Sequence, residues 1–225
     1  MYVAERIQKN LKRDKFRPRK ILDACCGEGW LPHELSSVYP KSDTYGLDIN
    51  AQLLATGISK GYFDNATAVI GDAFRLGEKD QRFKKVSVYP RYRKENSSFE
   101  HLKYEIMRET LKDLDLVTTI NPVCTLTLHD IGKIWANKDV DKKPVPLDII
   151  ASAAREGGYV LYSMSVSGEF VTAYGANSKL TDEVIKEEME GRIKRGSECN
   201  LEFVDAGLLE HKAETGLAVL FKKTK

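Results

Sequence analysis

Two hydrophobic rhythms alternate along this chain of 225 residues. Short apolar runs closed by Gly, Asp or Asn read as strands, and stretches with apolar positions three or four apart read as helices. "KILDACC" (20–26), "DTYGLDI" (43–49), "ATAVIGDAF" (66–74), "LDLVTTI" (114–120) and "YVLYSMSV" (159–166) are predicted strands. Between them lie helices: "WLPHELSSVYP" (30–40), with Pro32 in its first turn where a missing N–H costs little, and "AQLLATGISKG" (51–61), capped by Asn50. "MYVAERIQKNLKRDK" gives an amphipathic N-terminal helix within residues 1–18. "LDIIASAARE" (147–156) is a short helix before Gly157 and Gly158. "DEVIKEEMEGRIKR" (182–195) follows Thr181 as cap, acidic at its start and basic at its end, as the helix dipole prefers. "NLEFVDAGLLE" (200–210) and "GLAVLFKK" (216–223) close the chain as two strands. Alternating strand and helix predicts an α/β fold with a mostly parallel sheet and helices on both faces.

Two stretches break the rhythm. Residues 78–96 are polar and basic, longer than an ordinary connection, and residues 124–145 are irregular. Between them "SSFEHLKYEIMRETLKD" (97–113) reads as a helix, with Ser97 and Glu100 as a capping box and Phe99, Leu102, Ile106 and Met107 on one face. The expectation is one domain over 1–225, with 78–96 and 124–145 as insertions covering the site.

Composition adds limits. Hydrophobic residues make up 42%, enough for one full core, and the net charge is +2, which excludes a polycation. The charge is unevenly spread: residues 1–20 are basic, and "RFKKVSVYPRYRK" (82–94) interleaves Lys and Arg with Phe83, Tyr89 and Tyr92. No apolar run reaches membrane-spanning length, so no membrane partner is expected. The basic start reads as a structural helix rather than a targeting segment, because the first strand begins at once after it. Cys25, Cys26, Cys124 and Cys199 show no C-x-x-C or zinc-type spacing. Two are adjacent, which suits small packing residues at a turn. A reducing, cytoplasmic setting and no metal are expected.

The chemistry gathers at strand ends. In "ILDACCGEGWLPHEL" the first strand runs through Asp23 into a turn containing Gly27 and Gly29, which brings backbone N–H groups close to a ligand. Asp48 comes twenty-five residues after Asp23, and Asp72 twenty-four after Asp48, each at the end of a strand. Three carboxylates at the C-terminal ends of consecutive parallel strands line the crevice where open α/β sheets bind ligands. Asp48 suits two ribose hydroxyls. Asp72 suits an adenine amino group, with the Ala73 N–H toward a ring nitrogen. Asp23 suits a cationic group and would repel a pyrophosphate. Pro32 stands where the dinucleotide fingerprint needs a third glycine, which argues against NAD. The bland reading of each Asp singly is a helix cap or turn former.

These residues resemble the class I S-adenosylmethionine-dependent methyltransferases over roughly 19–223. "ILDACCGEG" is similar to that family's first motif, "YGLDI" to its ribose motif, "GDAF" to its adenine motif, and "REGGYVLYS" to the lead into its fifth strand. The resemblance implies a three-layer Rossmann-like fold with a seven-stranded sheet, the last strand antiparallel. It implies S-adenosylmethionine as cofactor, with S-adenosylhomocysteine as product, held by Asp23, Cys26, Gly27, Gly29, Asp48, Ile49, Asp72, Ala73 and Asn121. The family usually has glycine where this chain has Cys25.

The acceptor is less legible. "NPVC" (121–124) matches half of the Asn-Pro-Pro-aromatic pattern of amino-group methyltransferases, with Asn121 aiming an acceptor N–H₂. "LTLHDI" (126–131) resembles the turn of small-molecule methyltransferases, with His129 as base or merely a helix-start residue. A small-molecule acceptor is the first reading. The alternatives are RNA or another nucleic acid, tracked through 1–20 and 82–94, and a non-catalytic cofactor-binding protein. Oligomeric state is not written in the sequence.

Overall fold

The computed structural model describes residues 3–78, 82–88, 101–120, 123–124, 143–144, 146–165, 182–211 and 214–224. The chain enters through α1 (Val3–Arg13), then β1 (Lys20–Ala24), α2 (Trp30–Val38), β2 (Asp43–Asp48), α3 (Ala51–Ser59) and β3 (Thr67–Ile70). A 3₁₀ turn (Ala73–Arg75) leads on to β4 (Lys84–Val88), β5 (Leu102–Ile106) and β6 (Leu114–Ile120). The two-residue β7 (Val123–Cys124) and β8 (Lys143–Pro144) pair only with each other. The remainder is α4 (Leu147–Ala153), β9 (Ala154–Ser165), α5 (Asp182–Glu198), β10 (Leu201–His211) and β11 (Glu214–Lys223).

Nine strands form one sheet in the order β10–β11–β9–β6–β1–β2–β3–β4–β5. The five central strands, β9 through β3, are parallel, and β11 runs antiparallel to both its neighbours. The period of two sends neighbouring residues to opposite faces. Ile21 packs under α1 and α2 with Leu31, Leu35 and Leu116, while Leu22 faces Leu147, Ile150 and Phe221. The helices therefore form two layers. On α1 the buried residues Val3, Ala4, Ile7, Asn10 and Leu11 make the stripe expected of an amphipathic helix. Arg6 adds a two-pronged pair with Asp205 at 2.9 and 3.1 Å. The N-terminal helix is thus a core element, and at least this basic residue serves packing rather than a ligand.

Three sequence expectations change. Seven expected strands are present, and β4 and β5 extend the sheet beyond β3, both pairing antiparallel. The basic stretch 78–96 therefore contributes a strand over 84–88, flanked by β3 and the edge strand β5. The helix expected over 97–113 is instead strand β5 over 102–106, and Ser97, Phe99 and Glu100 lie outside the described residues. The reason is a tie between rhythms: residues four apart share a face in a helix and also in a strand. "LKYEI" alternates apolar and polar, and pairing with β4 settles the choice. Leu102 sits opposite Val88 and is buried, whereas Ile106 lies at the far end of the pair, 71% exposed. The helix at 147 also ends earlier than expected, at Ala153, because β9 begins at once; Gly157, at φ 72, lies where the β6–β9 register slips. Thr181, the expected cap of α5, lies outside the described residues.

Candidate functional site

The three carboxylates arise from three parallel strands in register. Asp23 pairs with Gly46 on one side and Thr118 on the other, and Asp48 pairs with Ile70. Asp23 and Asp48 are 3% and 8% exposed. Asp72 stands two residues past β3 and caps the 3₁₀ turn, its Oδ1 accepting from the Phe74 N–H at 2.9 Å. The bland capping role is real for Asp72, and its other oxygen stays available.

The glycine turn folds onto the end of β2. The Cys26 N–H donates to the Leu47 carbonyl at 3.0 Å, and the Gly27 N–H donates to Asp48 Oδ2 at 2.8 Å. Asp48 Oδ1 accepts from the Asn50 N–H at 2.7 Å, and the Asn50 side chain caps α3 by accepting from Gln52 and Leu53. One carboxylate thus ties the turn, the strand end and the next helix together. Its oxygens retain acceptor capacity beyond these donors.

Backbone conformation explains the residues of the turn. Gly27 and Gly29 hold φ of 56° and 86°, the left-handed region that glycine enters without penalty. A Cβ at Gly27 would meet nothing within 4 Å, so the turn opens onto free space there. A Cβ at Gly29 would overlap the Phe63 ring, which wedges beneath the turn. Glu28 pairs with Lys60 of α3's C-terminus at 2.5 Å and holds the turn from outside. Cys25, where the resembling family has glycine, also sits at φ 59°. That conformation costs a residue with a β-carbon about 1–2 kcal/mol.

The sequence assigned small packing roles to both adjacent cysteines. Cys26 keeps that role as a buried free thiol packed with α3, but Cys25 is disulfide-bonded. The left-handed twist at Cys25 sends its side chain to the opposite cluster, beside the α4 layer. Adjacency in sequence therefore gave no guide to pairing.

Electrostatics distinguish the carboxyls. Burial pushes Asp23 up to about 8; its hydrogen bond from Thr118 opposes this and nearby Asp48 adds to it. Burial also raises Asp48, against three backbone N–H groups that favour its anion. Asp115, at the opposite end of β6, differs: burial would raise it, yet Arg155 and the Arg19 and Lys20 N–H groups hold it below the usual range. It joins strand starts and is no part of the site.

Ala73 is buried and Ile49 half-buried beside these groups. Asn121 and His129 lie outside the described residues, as do Tyr89 and Tyr92. The sequence reading missed Thr118, whose hydroxyl donates to Asp23 Oδ1 at 2.7 Å. The signal was present: two threonines inside the apolar run "LDLVTTI" put one hydroxyl on each face of a buried strand. Phe63 was also missed, since nothing local marks it as the floor of a turn thirty residues earlier. A depression of about 560 Å³ lies elsewhere, between α3 and β3–β5, lined by Ile58, Phe63, Val86 and Val88. The carboxylates, not that cavity, carry the convergent polar groups expected of a site.

No family model matches the chain. Solved structures match its fold along nearly the whole length. A 16S rRNA (adenine(1408)-N(1))-methyltransferase variant from Catenulisporales acidiphilia, with S-adenosylmethionine, is 15% identical with TM-score 0.51, covering 100% of this chain and 92% of that one. Magnesium protoporphyrin IX methyltransferase from Synechocystis PCC 6803, with S-adenosylhomocysteine, is 13% identical with TM-score 0.54, covering 98% and 82%. The N-methyltransferase NodS from Bradyrhizobium japonicum is 12% identical with TM-score 0.53, covering 98% and 87%. The chain has the Rossmann-like fold of the S-adenosylmethionine-dependent methyltransferases. In sequence, 52 residues are 36% identical to a malonyl-[acyl-carrier protein] O-methyltransferase from Legionella pneumophila, a match over 23% of this chain and 18% of that protein.

Proposed function

We propose that the protein is an S-adenosylmethionine-dependent methyltransferase acting on a small molecule. The observation that supports this most is the Cys25–Gly29 turn, anchored on Asp48 and opening at Gly27, between buried Asp23 and the Asp72 cap. The sulfonium cofactor, when bound, supplies a methyl group already activated for in-line displacement. The chain's work is then binding and alignment. Asp48 accepts from the ribose hydroxyls. Asp72 accepts an adenine amino group while the Ala73 N–H meets the ring and Ile49 flanks it. Asp23 accepts the protonated amino group, and Cys26, Gly27 and Gly29 shape the turn. Asn121 and His129 are the acceptor-side candidates, one orienting an amino group and the other taking a proton. Activity of Asn121→Ala and His129→Ala discriminates between them.

A small molecule is favoured over nucleic acid because basic residues of 1–20 and 82–94, and of the neighbouring strand β5, have acidic partners. Arg6 pairs with Asp205, Lys85 with Glu109 at 3.1 Å, and Lys103 with Glu105. A polyanion would have to displace these carboxylates. Among the described residues no helix is long and apolar enough to cross a membrane.

The test is calorimetric titration with S-adenosylhomocysteine, S-adenosylmethionine and NAD, then radiolabelled methyl transfer into fractionated extract. Micromolar binding of the first two and label in the small-molecule fraction is expected. Binding without turnover in any fraction would favour the non-catalytic binder. Binding of NAD alone would overturn the reading.

A further inference from the structure

The buried carboxyl of Asp23 is only half satisfied. Its Oδ1 accepts from Thr118 Oγ1 at 2.7 Å, while Oδ2 has no hydrogen-bond partner among the described residues. Asp23 is 3% exposed and Thr118 is fully buried. Oδ2 is not among the fully buried unpaired atoms, so it reaches accessible space at the strand end, where a donor from outside can meet it. Oδ2 lies at the end of β1, just before the turn that opens at Gly27. Asp48, also acidic, lies near on β2, and burial and the two carboxyls push the nearby Cys26 thiol up. No described cation pairs with Asp23. Two neighbouring carboxyls with no described counter-cation suit a cationic donor.

We propose that Thr118 is a positioning residue of the cofactor site: by fixing Asp23 Oδ1 it keeps Oδ2 as the single open acceptor and favours the anion that receives a protonated amino group. The inference rests on the cofactor reading above and adds a residue from a different strand to it. The register makes the arrangement rigid. Thr118 is paired with Asp23 across β1 and β6, with Leu22 O a second, longer contact at 3.4 Å. A valine in its place keeps shape and strand preference and removes only the hydroxyl. Without that donor the carboxyl is free to rotate and gains no help in losing its proton.

Two ligands separate this role from a structural one. S-adenosylhomocysteine carries the α-amino group, and 5′-methylthioadenosine has the nucleoside and sulfur but no amino acid. Thr118→Val is expected to weaken S-adenosylhomocysteine about tenfold and to leave methylthioadenosine within about twofold, because one charge-assisted contact is impaired. Thr118→Ser, which keeps the hydroxyl, is expected to restore most of the loss. In an Asp23→Asn background Thr118→Val is expected to change neither affinity further. Equal loss on both ligands, or no loss on either, overturns the positioning role while leaving the cofactor reading intact. If wild-type protein binds neither ligand, the cofactor reading fails, and the inference with it. Should Thr118→Val not fold, the Asp23→Asn and Thr118→Ser comparisons decide alone: selectivity lost in the first and kept in the second is the expected result, and any other pattern overturns it.

Discussion

In the proposed site, Asp48 serves the fold and the ligand with one side chain. It accepts from Gly27 and Asn50 and presents its remaining lone pairs at the strand end. Asp48→Ala removes two proposed charge-assisted hydrogen bonds to a ligand, each worth about 1.5–3 kcal/mol, and unfastens the turn. Calorimetry should show cofactor affinity reduced by about a hundredfold or more, with unchanged affinity removing Asp48 from the ribose role. Gly27→Val combines a forced positive φ with a side chain in the open space. The variant is expected to lose about 1–2 kcal/mol of stability, remain folded by circular dichroism, and bind no cofactor. Normal binding would show that the turn is not the cradle.

Asp23 gives a pH dependence whose sign follows from burial. Its carboxyl is raised from 3.8 to about 8 in the folded chain. Between those values the folded state holds a proton that the unfolded state has lost. The stability Asp23 contributes is therefore fully present below about pH 4 and is lost as pH rises toward 8. Urea midpoints measured at pH 5 and pH 8 should fall with rising pH in wild type, more steeply than in Asp23→Asn. Parallel slopes would mean that Asp23 is ionised in the fold.

Elements were read well where one rhythm dominated. β6 is found at residues 114–120 as the run "LDLVTTI" predicts, and α2, α3, β2 and the closing strands lie within a few residues of expectation. Reading failed where two rhythms agreed on the same residues, as in "LKYEI". The edge strand leaves a measurable signature. Leu102, buried against Val88 and the α3 cluster, should cost about 2–3 kcal/mol when replaced by alanine, whereas Ile106→Ala should change stability by less than about 0.5 kcal/mol. A helix with both on its core face would lose similar amounts at each, so chemical denaturation of the two variants distinguishes the forms.

At the scale of the molecule, charge bears on the proposed partner class. A net charge of +2, with Lys85, Lys103 and Arg6 already paired, gives little long-range attraction for a polyanion. Replacing Lys84, Lys85, Arg91 and Arg93 by Gln is expected to leave small-molecule turnover within about twofold and to reveal no salt-dependent RNA affinity to lose. A large fall in RNA affinity and its salt slope in that variant would move the acceptor to nucleic acid.

The sequence by itself determined the alternation of strand and helix, the glycine turn and the three aspartates at strand ends. Each is written in local periodicity or in a residue type that a backbone conformation demands. Asp23, Asp48 and Asp72 are legible because parallel strands bring similar sequence positions to one edge. Only the tertiary structure decided that Leu102–Ile106 would be a strand, that Cys25 would be disulfide-bonded and turned away from Cys26, and that Thr118 would meet Asp23. The physical reason is common to all three. Strand pairing, disulfide bonding and buried hydrogen bonds depend on what lies across space, ninety-five residues away in the case of Thr118 and Asp23, and no local pattern records the partner.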